Sequence, residues 1–298
     1  MRFFTREARR GVRRVSRSAH ILNGSEIARK NLEALSKEIA LIHKKGEALC
    51  LGAVQVGDSK DTLLYARALE MLLAKLSINF SYHTLAHSIT EKELFRQIMK
   101  LNADPEISGV MVFSPLPPHI NSVSILNALD LLKDVEGRRI LHGMGDRVIS
   151  PTAISVLTLL EETGVDIAGK EAVVVGHSDV VGKPIAILLM DKMATVTVCH
   201  AKTKNLKEHV EKADILVAAA GKPHLIKGDW VKPGAIVIDV GENFVNGKLV
   251  GDVEFDAAKE KASFISPVPG GVGPVTNIML VKNLVTLWKL KETCNGNS

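Results

Sequence analysis

The chain has 298 residues, 46% apolar and 24% charged, an ordinary globular composition large enough for one big domain or two medium ones. No run of eighteen apolar residues occurs, which excludes a membrane-spanning helix. Cys50, Cys199 and Cys294 fit neither a disulfide framework nor a zinc site, so a reducing compartment is the expectation. The net charge of +5 is local: residues 1–18 hold seven Arg against one Glu, a charge of +6, leaving −1 on the other 280 residues. The body therefore lacks the basic stripe with interleaved aromatics that would mark a nucleic-acid partner.

The N-terminal stretch MRFFTREARRGVRRVSRS has no apolar core and is not a secretory signal. A solvated extension, a docking arm and an Arg- and Ser-rich organelle targeting peptide all remain open. The expected location is the cytoplasm, with an organelle matrix as the alternative.

From residue 25 amphipathic helices alternate with short apolar runs. Helical periodicity covers 25–45, with Ser25 as N-cap, and the spacing predicts a strand over 48–56 and a helix over 61–76. A strand at 78–85, a helix at 90–102, a strand at 109–113 and a helix at 121–132 complete the first half. A helix at 152–163 then precedes a strand at 171–176, a helix at 183–191 and strands at 195–199, 214–220 and 235–241. A helix at 276–290 closes the chain. Repeated βα units predict an α/β fold with parallel sheets and right-handed crossovers. The Gly- and Arg-rich stretch at 138–150 breaks the apolar periodicity. It divides the chain into a first lobe of 19–145 plus 277–298 and a Rossmann-like second lobe of 146–276, with residues 1–18 as an extension. A cleft between the lobes is the expected site.

Four segments have the composition of site loops. VVVGHSDVVGKP (173–184) runs strand, Gly turn, helix start. It is neither G-x-G-x-x-G nor a Walker A loop, yet it can offer backbone N–H groups at a helix N-terminus to a pyrophosphate. A plain βα turn is the competing reading. SPVPGGVGPVT (266–276) is too rich in Pro and Gly for regular structure, and is either a linker or a ligand-lining loop. VFSPLPPHI (112–120) carries a strand into a stiff turn, where His119 reads more readily as a turn residue than as a catalyst. KDVEG (133–137) places Asp134 and Glu136 on a loop, as a solvated pair or as a site carboxylate.

In this order, VGDSKDTLLYARAL, GVMVFSPLPPHI, KDVEG, VVVGHSDVVGKP, ATVTVCHAKT, ADILVAAAGKP, KPGAIVIDVGEN and SPVPGGVGPVT resemble the FolD family, methylenetetrahydrofolate dehydrogenase/methenyltetrahydrofolate cyclohydrolase. The resemblance runs from about residue 20 to 290. It implies a two-domain α/β homodimer that holds a tetrahydrofolate derivative in the cleft and NAD or NADP on the second lobe. The implied chemistry is hydride transfer from methylenetetrahydrofolate, followed by hydrolysis to formyltetrahydrofolate. It implies cofactor contacts at Gly176, His177, Ser178, Gly182, Lys183, Pro184, His200 and Ala201. It implies substrate contacts at Pro115, Pro117, Pro269, Gly270, Gly271 and Thr276. No metal is implied.

The chain departs from the family pattern at its chemical centre. The family's Y-x-x-x-K falls on Tyr65 and Leu69, so the Lys central to cyclohydrolase chemistry is a Leu. Leucine cannot donate a proton, stabilise an oxyanion or activate water. The Gln that supports that Lys falls on Phe113, so an apolar pair replaces a polar one. The pterin-binding Asp falls on Glu136, a carboxylate with longer reach. The family's P-C-T-P is SPTA (150–153). On the cofactor side, the Arg and Ser that approach an NADP 2′-phosphate fall on His177 and Ala201, which disfavours NADP.

These changes lead to the expectation of a member degenerate for cyclohydrolase activity, with dehydrogenase activity open to the same loss: a binding or regulatory protein. The alternatives are an NAD-dependent dehydrogenase without cyclohydrolase activity and a bifunctional enzyme with rewired residues. A pterin pocket closed by packing of Leu69 on Phe113 favours the first. An open cleft beside Tyr65 and Glu136 favours the second.

Overall fold

The computed structural model describes residues 18–138 and 148–296. The Arg-rich extension through Arg17 and the expected lobe boundary at 145/146 lie outside the described residues.

The first half contains β1 (His20–Ile21), α1 (Gly24–Lys44), β2 (Cys50–Val56), α2 (Lys60–Lys75), β3 (Asn79–Leu85), α3 (Glu91–Ala103), β4 (Gly109–Val112) and α4 (Ser122–Asn127). β2 lies between β3 and β4 in a parallel three-stranded sheet. α1 starts one residue earlier than expected, because Asn23 rather than Ser25 is its cap. The Asn23 Oδ1 accepts from the N–H groups of Ser25 and Glu26 at 3.1 and 3.3 Å. Ile27, Leu35, Ile39 and Ile42 form the buried stripe of α1. α3 opens on a capping box between Thr90 and Glu93. α4 is half the expected length and gives way to turns after Asn127.

The second half contains α5 (Pro151–Glu161), β5 (Glu171–Val175), α6 (Gly182–Asp191), β6 (Thr195–Cys199), α7 (Leu206–Val210), β7 (Ile215–Ala218), β8 (Ile236–Asp239), β9 (Asn243–Val245), β10 (Lys248–Val250), α8 (Phe255–Lys259), β11 (Phe264–Ile265) and α9 (Val272–Gly296). The six-stranded parallel sheet has the order β1-β11-β8-β7-β5-β6. Its central strands are buried on both faces: β7 is wholly apolar, and β8 is apolar up to the buried Asp239 at its end. β9 and β10 form an antiparallel hairpin that the sequence reading did not place. Asn246-Gly247 is its two-residue turn, both with positive φ, which is the ordinary hairpin signal of that dipeptide.

Two elements join the halves. β1 belongs to the second sheet, pairing with β11, although the sequence reading puts residues 20–21 in the first lobe. α9 begins four residues earlier than expected and packs on α1, α5 and β4. One apolar cluster consequently runs from Leu69 and Leu73 of α2 through Leu284 of α9 to Val174 and Ile238 of the larger sheet. No helix among the described residues is long and apolar enough to cross a membrane.

Candidate active site

A cavity of about 350 Å³ opens where the two halves meet. Its first-half wall carries Tyr65 of α2, Met111 and Phe113 at the end of β4, and Glu136 and Arg138 of the loop after α4. Ser150 and Thr152 at the start of α5, Val180 of the loop before α6, and Thr276 and Leu280 of α9 complete it. The Ser150 hydroxyl donates to the Val180 carbonyl at 2.6 Å and ties the α5 start to the nucleotide-type loop.

Tyr65 meets Phe113 edge-on, with ring centroids 5.9 Å apart, and Phe113 meets Tyr82 edge-on at 6.1 Å. Tyr82 stacks on Phe80 and donates its hydroxyl to Gln55. This aromatic run backs the cavity wall at Phe113 and fixes the Tyr65 ring. Burial, reinforced by Glu136 and Glu242, pushes the Tyr65 phenol well above its ordinary range, so it stays neutral and able to donate a hydrogen bond. Leu69 lies one turn further along α2 with none of its surface exposed, in the apolar cluster and away from the cavity lining. The cavity therefore remains open beside Tyr65 and Glu136.

The loop bearing Glu136 is held from behind. The Asp134 carboxylate accepts from the backbone N–H groups of Glu136 and Arg138 at 3.2 and 3.0 Å. Asp134 is buried, which removes the reading of a solvated acidic pair. Asn283 of α9 donates to the carbonyls of Val135 and Ile149, both at 2.8 Å, and so ties the loop bearing Glu136 to the start of α5. Burial pushes the Glu136 carboxyl up, and the adjacent Arg138 guanidinium opposes that rise.

The second half supplies the dinucleotide-type crevice at the C-terminal ends of β5, β6 and β7. Gly176 has φ 140°, and a Cβ there would lie 2.1 Å from the Ala219 carbonyl oxygen, so only glycine permits this approach. The Ser178 hydroxyl accepts from the Val181 N–H at 3.2 Å, and the chain enters α6 with Gly182 and Pro184 buried and Lys183 exposed and paired with Asp179. Backbone N–H groups at this helix start, reached by a tight glycine turn, fit a pyrophosphate. His177 and His200 stand at the ends of the neighbouring strands with ring centroids 5.3 Å apart, and Ala201 beside them is exposed.

The sequence-derived substrate residues are dispersed. Thr276 lines the cavity, and Ser114 lines it in place of its neighbours Pro115 and Pro117. Pro269, Gly270 and Gly271 sit at the start of α9, where the Gly270 carbonyl accepts from the Gly24 N–H at 2.8 Å; they join α1 to α9 and are not among the lining residues. His119 hydrogen-bonds the Ile89 carbonyl at 3.0 Å, outside the cavity, as a turn residue would. Sequence reasoning missed Arg138. Its only signal was an Arg directly following the KDVEG loop, a residue that the periodicity reads as loop surface. It also missed Asp239 and Asp252, buried acids at the end of β8 and after the hairpin.

A two-lobed α/β protein with a parallel dinucleotide-type sheet and an aromatic, acid-bearing cleft is the architecture of a nicotinamide-dependent enzyme. Residues 22–136 match the family model of the tetrahydrofolate dehydrogenase/cyclohydrolase catalytic domain, and residues 150–292 match that family's NAD(P)-binding domain. The chain is 45% identical over 285 residues to bifunctional protein FolD 2 of Geobacter metallireducens, covering 93% of this chain and 99% of that one. The crystal structure of the bifunctional FolD of Campylobacter jejuni superposes with a TM-score of 0.89 at 37% identity, covering 92% of this chain and all of that one. The Trypanosoma brucei methylenetetrahydrofolate dehydrogenase-cyclohydrolase, solved with NADP and an inhibitor, gives a TM-score of 0.88 at 36% identity, covering 93% of this chain and 99% of that one. The chain belongs to the tetrahydrofolate dehydrogenase/cyclohydrolase (FolD) family, and its chemistry is that of tetrahydrofolate-linked one-carbon metabolism with NAD(P).

Proposed function

We propose that this protein is a methylenetetrahydrofolate dehydrogenase that stops at the methenyl product. The observation that carries the reading is the open cavity beside Tyr65, Glu136 and Thr276, combined with the burial of Leu69 outside it. Tyr65 provides a fixed, neutral aromatic face for a folded pterin ring, and Glu136 provides the acceptor for its N–H edge. NAD(P), when bound at the Gly176–Pro184 turn, supplies the hydride acceptor. Hydride transfer depends chiefly on holding two ligands in line, which the rigid aromatic wall and the anchored 134–138 loop achieve. Hydrolysis of the methenyl product needs a group that moves a proton or activates water, and Leu69 and Phe113 offer none. The absence of an arginine at His177 and of a hydroxyl at Ala201 supports NAD over NADP. A homodimer belongs to the same reading: α2 leaves Leu64 and Met71 exposed two turns apart beside the edge strand β3.

A second reading, a folate-binding protein without turnover, is favoured by the Glu136–Arg138 ion pair, because the acid is already engaged. One assay separates the two. Protein is mixed with methylenetetrahydrofolate and NAD or NADP, and reduced cofactor and methenyl product are followed together. Methenyl product accumulating, faster with NAD, is the expected result. Onward formation of formyltetrahydrofolate refutes the proposal in favour of the bifunctional activity borne by the named relatives. No turnover with either cofactor refutes it in favour of the binding protein.

A further inference from the structure

Arg138 turns its guanidinium back over the Glu136 carboxylate. Its Nε and Nη2 both donate to Oε2, at 3.0 and 2.7 Å, and neither of these contacts falls on Oε1. Nη2 also donates to the Val112 carbonyl and Nη1 to the Ser114 hydroxyl, each at 3.1 Å. The two side chains are 9% and 17% exposed and both line the cavity. This is a desolvated pair held by four donor contacts, unlike a surface ion pair that solvent screens. The backbone beneath it is built for the arrangement. Gly137 has φ 55°, and a Cβ there would lie 2.5 Å from the Val148 carbonyl oxygen. The turn it makes brings residues 136 and 138 to the same cavity.

We propose that Arg138 is a positioning residue of the cleft, whose guanidinium holds the Glu136 carboxylate in one orientation for the N–H edge of a bound pterin. The proposal rests on the folate reading of the cavity. A Glu in place of a shorter Asp brings an extra rotatable bond, and an anchored Oε2 removes that freedom while leaving the rest of the carboxylate to a ligand. Among the charged and titratable side chains of the described residues, Arg138 favours the ionised form of Glu136, and a backbone hydrogen bond from Val112 acts with it. Asp134 on the same loop opposes ionisation, as does burial. From α2 comes the neutral Tyr65, and beyond it Glu242 of the loop after β8.

The test pairs two measurements on the full chain. Glutamate labelled with carbon-13 at Cδ reports the titration of Glu136 by NMR, with E136Q identifying its signal. Calorimetry with folinic acid reports ligand affinity across the neutral pH range. In wild type, affinity varies little across this range. In R138M the Glu136 midpoint rises by at least one pH unit. Affinity falls about tenfold on the acid side of neutrality and recovers as pH rises, in keeping with one unit per tenfold. R138K keeps the cation but loses the fork, so its affinity is weaker at every pH without the new pH dependence. An unchanged midpoint and an unchanged affinity profile in R138M overturn the proposal. A shifted midpoint in a protein whose wild type does not bind folinic acid supports the hold of Arg138 on Glu136 and refutes the folate reading instead.

Discussion

Replacing Asp252 with Asn should cost the protein about 3 kcal/mol of stability and weaken its hold on the dinucleotide. The Asp252 side chain has no exposed surface. Its Oδ2 accepts from the backbone N–H groups of Ala220 and Gly221 at 2.6 and 2.9 Å, and its Oδ1 from Lys222 N–H and Asn243 Nδ2 at 2.8 and 2.9 Å. These three backbone donors belong to the loop leaving β7, beside the Ala219 carbonyl on which Gly176 packs. Hydrogen bonds to a charged acceptor are each worth roughly 1.5–3 kcal/mol net. An asparagine keeps one oxygen and turns two hydrogens of its own toward the other pair of donors. Two such bonds are lost, about 3–6 kcal/mol, offset in part because a buried charge no longer has to be desolvated. Urea unfolding with linear extrapolation measures the difference, and KM for NAD should rise because the loop at the crevice loses its anchor. N243A, which removes a single donor from the set, should cost about 1 kcal/mol. A D252N protein within 1 kcal/mol of wild type would refute the idea that this carboxylate organises the loop.

Stability should also rise on mild acidification. Burial, augmented by the charge of Asp252, lifts the Asp239 carboxyl from 3.8 to about 6 against three backbone N–H bonds. A folded state that binds this proton more tightly than the unfolded chain gains stability as pH falls from above 6 toward 4, on the order of 3 kcal/mol for this group alone. Glu136 and Glu242, both pushed up by burial, act in the same direction. Asp214 and Glu254, both pulled down chiefly by hydrogen bonds from lysines, reverse the trend at lower pH. Thermal unfolding across pH should show the gain in wild type and a flatter limb between about pH 5 and 7 in D239N; an unaltered limb in D239N would assign it elsewhere. The variant L69K should lose about 3 kcal/mol or more, because an ammonium replaces a fully buried leucine. The double variant L69K/F113Q, which adds an amide partner and removes a ring, should gain methenyl hydrolysis that neither single variant shows. Equal hydrolysis in wild type would sink the assignment of that loss to Leu69.

The βα alternation, the parallel sheets and the apolar character of positions 69 and 113 were legible in the sequence. They rest on local spacing and on residue chemistry that the fold cannot change: Leu69 is apolar wherever it sits. The turn at Gly176 was legible for the same reason, since a strand, a glycine and a helix start follow one another along the chain. Tertiary structure alone decided that Leu69 lies in the core rather than in the cleft, and that Arg138 closes on Glu136. It decided too that Pro269–Gly271 serves the junction of α1 and α9 rather than the cavity wall. Pairing of His20–Ile21 with Phe264–Ile265, and the grip of Asn283 on both Val135 and Ile149, likewise join residues more than a hundred positions apart. Such contacts depend on how amphipathic elements dock against one another, and no period of 2 or 3.6 along the chain carries that information.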